Sequence, residues 1–323
     1  MFKPNRRDTP RKTVGRMTIL VIGSGSIGTR HFNNLGLLAA KAEVLSVRAV
    51  GLAGALARID AGGLRGAVIA TETQLRLPLI EACAVAGLPM YIEKPLAFEP
   101  AELAAIYTAT SAVASRSLVG FMMRYHPAFR HLAQADLTDT YRFSFDIGHD
   151  VTQWRANWRF ADSYAARSAG GGVLLDLCHE LDMAACLFPA ASIGAVQSIG
   201  HLRYPEVDFA TRVSFSGPVL GSVSMDYLSP VSTRKIDIAG TTQRHSFDLV
   251  AGTYAGPTPL AFPFDRNQMF LAAMRDFLAL IDGRSTSDVE HLPRLDRVRR
   301  HCEVIAAAYK ARAFTARLTG DKP

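Results

Sequence analysis

Apolar residues fall in short compact runs through the first third of the chain. Segments 17–22, 44–47, 66–70, 90–92 and 118–121 are each bounded by glycine, proline or polar residues. Such runs suit strands buried on both faces. Between them, the stretch after Gly28 and residues 53–59, 77–86 and 100–114 read as helices, with Pro100 suited to a first helical turn. Strands alternating with helices predict a parallel sheet covered on both sides.

The pattern changes after about residue 121. Residues 127–133 read as a helix, 141–147 alternate like a strand, and 149–168 are polar and aromatic. Gly170, Gly171 and Gly172 lead into an apolar helix predicted to run to Leu187. Strand-like runs follow at 195–202, 209–215, 221–227, 235–239 and 243–250, with no helix between them. That arrangement predicts an open, largely antiparallel sheet. Helices near 268–281 and 295–312 close the chain. The reading is an α/β protein: a basic tail at 1–16, a parallel-sheet domain at 17–121, and an α+β domain at 122–323.

Composition changes little in this picture. Hydrophobic residues make up 49% and charged residues 20%, as in ordinary globular chains. No run of eighteen apolar residues offers a membrane span, and the N-terminus lacks a signal peptide's apolar stretch. Net charge is +7, but residues 1–16 hold six of the basic residues against Asp8 alone. The remainder is close to neutral, so no nucleic-acid partner is expected. Cys83, Cys178, Cys186 and Cys302 match neither a CxxC pair nor a zinc set, so reduced thiols in a cytoplasmic protein are expected.

Chemistry enters at Gly23-Ser24-Gly25-Ser26-Ile27-Gly28, between the first strand and first helix. Gly-x-Gly-x-x-Gly in that setting is a dinucleotide fingerprint. Gly23 permits the tight turn, Gly25 lets a pyrophosphate approach, and Gly28 lets helix and strand pack. The N–H groups at Ser26 and Ile27 face the anion at the helix start. The first domain is then a doubly wound Rossmann sheet. An acid is expected at the tip of the second strand to hold the ribose. The chain has Ser46 and Arg48 there, with Glu43 only at the strand's start. A guanidinium matches a 2′-phosphate, which favours NADP, with NAD the alternative.

Glu93-Lys94-Pro95 sits at the carboxyl end of the fourth strand, the edge where open α/β sheets bind ligands. In the second domain, Asp176 and His179 are three apart on one predicted helix, and Asp182 extends the row. A histidine there can move the hydroxyl proton as hydride moves. Asp176 could orient substrate, tune the histidine, or simply cap the helix. The other ligands a metal would need are missing, so none is expected.

The fingerprint, the Glu-Lys-Pro corner and Gly170-Gly171-Gly172-Val173-Leu174-Leu175-Asp176 with His179 and Asp182 resemble, in order and rough spacing, the Gfo/Idh/MocA oxidoreductases. The resemblance runs from about residue 17 to 313. It implies NAD or NADP chemistry on sugars, inositols or related diols, with Lys94 catalytic and Pro95 cis. By it, Asp176 and His179 are catalytic too, and Thr71 and Glu93 join the cofactor contacts. Members commonly have Asp-x-x-x-His, whereas the spacing here is one shorter. The Leu-Asp-Leu-Cys-His-Glu run resembles a branch linked to cell-surface sugar biosynthesis.

Trp154, Arg155 and Tyr164 are candidate sugar contacts, and Arg124 could reach cofactor or substrate. The segment between the second and third strands is short, and Glu72 replaces the usual Pro or Asn near the cofactor path. Two other readings stay open: a non-catalytic cofactor-binding sensor, and a reductase of a non-sugar carbonyl or diol. An apolar outer face on the open sheet would need covering, which predicts a homo-oligomer, dimer or tetramer.

Overall fold

A computed structural model describes residues 17–153, 159–257, 265–287 and 290–320. The basic segment 1–16 and the candidate contacts Trp154 and Arg155 lie outside the described residues.

The first half runs β1 (Thr18–Ile22), α1 (Ser26–Leu37), β2 (Ala42–Leu45), α2 (Val47–Asp60) and β3 (Leu64–Ile69). It continues with α3 (Arg76–Val85), β4 (Met90–Ile92), α4 (Pro100–Ala109) and β5 (Leu118–Val119). The strands form one parallel sheet in the order β2-β1-β3-β4-β5. Ile19, Leu20, Val21 and Ile22 have no exposed surface, as expected of a central strand covered on both faces. The order reverses beside β1, so the tips of β1 and β3 frame the crevice where such sheets take ligands. A six-stranded doubly wound sheet carries a further strand outside its second. Here α2 alone connects β2 to β3, which accounts for the short segment seen in the sequence. Val47 opens α2 rather than ending a strand, and the helix begins six residues before the periodicity suggests. Gly51, at φ 70°, kinks it and interrupts the apolar pattern.

The second half runs α5 (Pro127–Gln134), β6 (Thr140–Gly148), α6 (Val173–Asp176), α7 (His179–Leu187), β7 (Ser192–His201) and β8 (Tyr204–Ser216). Then come β9 (Leu220–Asp226), β10 (Thr233–Gly240), β11 (Arg244–Asp248), β12 (Thr253–Ala255), α8 (Arg266–Ile281), α9 (Arg299–Lys310) and β13 (Ala313–Leu318). Their sheet has the order β12-β11-β10-β6-β9-β8-β7-β13. It is antiparallel except where β6 meets β9 and β7 meets β13. Strands β12 and β13 carry too little apolar signal to be expected; β13 has no buried residue.

One face of this sheet is apolar. Phe143, Phe145, Ile147, Val223, Met225, Ile236 and Ile238 are buried there. The alternate positions, which point to the other face, are Arg142, Ser144, Asp146, Ser222, Ser224, Asp226 and Asp237. On these three strands the outer face is therefore polar, where the sequence predicts an apolar one. The apolar surface that would have demanded a second copy is absent from these strands.

Helix α8, late in the chain, packs back onto the first sheet. Phe270 lies edge-on to His31 at 5.9 Å, Phe277 meets Tyr91 at 6.1 Å, and Asn267 donates to Asn34 at 2.9 Å. No helix among the described residues is long and apolar enough to cross a membrane.

Candidate active site

The fingerprint folds as its glycines require. Gly23 has φ +118°, and a Cβ there would press into the Ala70 carbonyl. A Cβ on Gly28 would strike the carbonyl oxygen of Gly23. Both glycines therefore serve packing. A Cβ on Gly25 would meet nothing within 4 Å, so open space lies over the turn. Gly25 is the N-cap of α1, whose early N–H groups at Ile27 and Gly28 have no acceptor within the helix. Across the crevice, the Thr71 hydroxyl is buried without a partner among the described residues. An open cradle of helix N–H groups beside an orphaned donor fits a dinucleotide's pyrophosphate.

Ser46 caps α2 at the tip of β2, and the Arg48 side chain is 92% exposed. Arg48 is not alone: its Nη2 lies 3.7 Å from Glu72 Oε1. Glu72 also accepts from both terminal nitrogens of Arg167, one at 3.0 Å. The negative charge near the cofactor path is thus matched by two arginines, one of them from the segment ahead of α6.

The Glu93-Lys94-Pro95 corner is held from several sides, and the Lys94–Pro95 bond is cis. Glu93 is buried, and its Oε1 lies 2.7 Å from His31 Nε2 on α1. Burial alone would raise its pKa, but the bond and charge of His31, with Lys94 and Arg76, bring it below the usual value. Glu93 serves the corner by bonding α1 to it.

Arg76, which nothing in the sequence singles out, sits beneath the corner and is 4% exposed. It donates to the carbonyls of Thr71, Glu93, Lys94 and Pro95. Burial lowers its pKa to about 10, so it stays charged at neutral pH. One guanidinium thereby ties the end of β3 to the turn that carries Lys94.

Lys94 then reaches the second half of the chain. Its Nζ donates to the Asp176 main-chain carbonyl and lies 3.5 Å from Asp176 Oδ1. Two phenols hold the same carboxylate: Tyr164 donates to Oδ1 at 2.6 Å and Tyr227 to Oδ2 at 3.1 Å. Tyr164 is half-exposed and Tyr227 is buried. Tyr227 was not anticipated, because its role depends on β9 ending opposite α6.

The helix predicted through 187 is broken between Asp176 and His179. Leu177 and Cys178 separate α6 from α7. Asp176 and His179 therefore do not share one continuous helical face, and the spacing argument fails there. Gly172, at φ 98°, starts α6 with no room for a side chain, because a Cβ would enter the Asp208 carboxylate. His179 opens α7, is 6% exposed, and its Nδ1 has no partner among the described residues. Burial, then the charges of Lys94 and Arg234, push its pKa well below the ordinary value. The imidazole is neutral at pH 7 and can accept a proton. Its neighbour Glu180 is also buried, and Arg234 Nε bonds it at 2.6 Å.

Asp182 and Arg124 leave the site. They form a buried two-pronged pair at 2.7 and 2.9 Å, with His301 Nδ1 3.3 Å from Asp182. Burial would raise the Asp182 pKa, but Arg124 brings it to about 2. Arg124 is committed to this pair, and its guanidinium is not free to meet a substrate. No cluster of three or more metal-ligating side chains occurs among the described residues.

No family model matches the chain. A curated relative, myo-inositol dehydrogenase Hyg17 of Streptomyces leeuwenhoekii, is 29% identical over 239 residues, covering 67% of this chain and 71% of the relative. Among solved structures, levoglucosan dehydrogenase in complex with NADH and L-sorbose has a TM-score of 0.73 at 18% identity, covering 91% of this chain and 96% of that one. UDP-N-acetylglucosamine 3-dehydrogenase GnnA from Acidithiobacillus ferrooxidans has a TM-score of 0.71 at 18% identity, covering 91% and 95%. The fold is thus a Rossmann-type parallel sheet joined to an open, largely antiparallel one. The curated relative and both neighbours are dehydrogenases by name, and the neighbours share this fold.

Proposed function

We propose that this chain is a NAD(P)-dependent oxidoreductase that moves a hydride between the nicotinamide and a carbinol carbon of a sugar, sugar derivative or polyol. The observation that carries the reading is Lys94, at the ligand edge of the first sheet, meeting Asp176, with a neutral buried His179 beside them. The names of the relatives support the substrate class: one is an inositol dehydrogenase, and two neighbours are dehydrogenases of levoglucosan and of a nucleotide-linked sugar.

The bound cofactor would supply the hydride acceptor or donor. Gly25, Ser26, Ile27 and Thr71 would hold its pyrophosphate end on the turn that Gly23 and Gly28 shape by packing, and Ser46 and Arg48 its adenosine end. In the oxidative direction, His179 takes the hydroxyl proton as the carbon gives up its hydride. Lys94 donates to the same oxygen and offsets its growing negative charge. Asp176, fixed by Tyr164 and Tyr227, aims the Lys94 ammonium. Tyr164, half-exposed at the rim, would contact the sugar. Four free cysteines support a reducing, cytoplasmic setting.

The test is a panel of inositols, anhydrosugars, free sugars and nucleotide-linked sugars, each with NAD and NADP, followed by nicotinamide absorbance. Turnover that disappears in Lys94→Ala and His179→Ala supports the reading. Tight cofactor binding without turnover across the panel would instead identify a binding protein.

A further inference from the structure

We infer that Glu72 decides which nicotinamide cofactor this chain accepts, favouring a free adenosine 2′-hydroxyl over a 2′-phosphate. The inference rests on the dinucleotide reading above and deepens it.

Dinucleotide sites of this type place an acid beside the adenosine ribose, normally from the tip of the second strand. The tip of that strand carries none here. Glu43, near its start, is held by Arg58 at 2.6 Å. Arg48, taken alone, therefore reads as a phosphate ligand.

The fold changes that reading. Strands β2 and β3 flank β1 on opposite sides, so the segments leaving both tips converge over the Gly23 turn. Glu72, three residues past the end of β3, is carried to within 3.7 Å of Arg48. The two acidic oxygens are fixed from the far side by Arg167. Glu72 is 25% exposed, whereas Arg48 is a solvated side chain at 92%. Glu72 is the anchored acid at this corner, and of its two arginine partners Arg48 is the loose one. A carboxylate accepts a hydrogen bond from a hydroxyl, whereas a phosphate has no proton to offer it. A phosphate brings almost two negative charges instead. Glu72 cancels part of the positive charge that Arg48 and Arg167 would otherwise present to that phosphate, a difference large enough to change affinity about tenfold or more.

The experiment is a fluorescence titration of the full chain with NADH and with NADPH. Wild type should bind NADH more tightly. Glu72→Gln should tighten NADPH relative to NADH by about tenfold or more. Glu72→Asp, which keeps the charge, should keep the wild-type ratio. Loosening of Arg167 would weaken both cofactors alike, so the ratio of the two constants is the informative readout. A ratio unchanged in Glu72→Gln overturns the inference. So does a wild type that prefers NADPH and loses that preference in Arg48→Ala, which returns the choice to Arg48. If wild type binds neither cofactor, the dinucleotide reading falls and takes the inference with it. That outcome is distinct from NADH binding with an insensitive ratio.

Discussion

The Lys94 ammonium lies 3.5 Å from the Asp176 carboxylate and donates to the same residue's main-chain carbonyl, although 82 positions separate the two. This pair joins the corner after β4 to the end of α6, and so joins the two sheets at the site. A lysine so fixed has its donors aimed before any ligand arrives, which is how positioned groups lower a barrier.

Lys94→Ala removes the ammonium and leaves the fingerprint untouched. Turnover with whichever polyol the wild type oxidises should fall by roughly 100-fold or more. The NADH dissociation constant should stay within about threefold of wild type, because the pyrophosphate is held by helix N–H groups. Steady-state kinetics beside a fluorescence titration separates the two effects. Equal losses in both would place Lys94 in cofactor binding instead.

Gly25 and Gly28 should respond differently to one added methyl group. Gly28→Ala drives a Cβ into the Gly23 carbonyl and should lower the unfolding temperature by several degrees, as expected for about 1–3 kcal/mol of overpacking. Gly25→Ala enters open space, so unfolding should change little while NADH affinity drops about tenfold or more. Thermal unfolding and cofactor titration of both variants check this contrast.

Arg76 is a positioning residue for the Lys94 corner. Arg76→Lys keeps the charge but cannot span carbonyls from Thr71 to Pro95. It should lower kcat about tenfold or more while KM changes far less, because the misplaced group acts in the transition state. NADH should still bind. A uniform fall in folded protein, with normal kcat per folded molecule, would reduce Arg76 to a purely structural role.

His126 caps α5, accepting from the Ala128 N–H at 3.0 Å, and burial holds its pKa down to about 4. The unfolded chain binds this proton near pH 6.5, so between about 6.5 and 4 the unfolded state holds more protons. Stability from this group is complete above pH 6.5 and falls as pH drops. The loss from pH 7 to 5 is about 2 kcal/mol. His126→Asn keeps a capping acceptor and cannot titrate. Urea unfolding at pH 7 and 5 should show a smaller drop in the variant. An equal drop would assign the acid sensitivity to other histidines, His149, His179 and His245, whose pKa values burial also lowers.

Much of the architecture was legible in one dimension because it rests on local rules. The buried strands β1, β3, β4 and β5 announce themselves as apolar runs. Gly23 and Gly28 are read correctly because steric demands on a tight turn depend on neighbours in sequence. The alternation along β6 and β9 likewise marks which face is buried. What it does not reveal is that the other face is polar enough to stand in water. That has to be read strand by strand, once the pairing aligns Ser144 with Ser222 and Asp146 with Ser224.

Most of the failures at the site share a physical origin: they concern charges, whose partners are chosen by distance in space. Arg124 looks like a ligand contact until Asp182, 58 positions away, neutralises it in the core. Arg48 looks like a phosphate site until Glu72 arrives from beyond β3. Asp176 and His179 look like one helical row until α6 ends at Asp176, whose carbonyl accepts from Lys94. The sequence by itself determined the strand–helix alternation, the glycine turn and the identity of Lys94 and His179, because backbone sterics and hydrophobic period act over a few residues. Only the tertiary structure decided which acid meets which base, because Coulomb and hydrogen-bond energies follow proximity and burial, and only folding sets these.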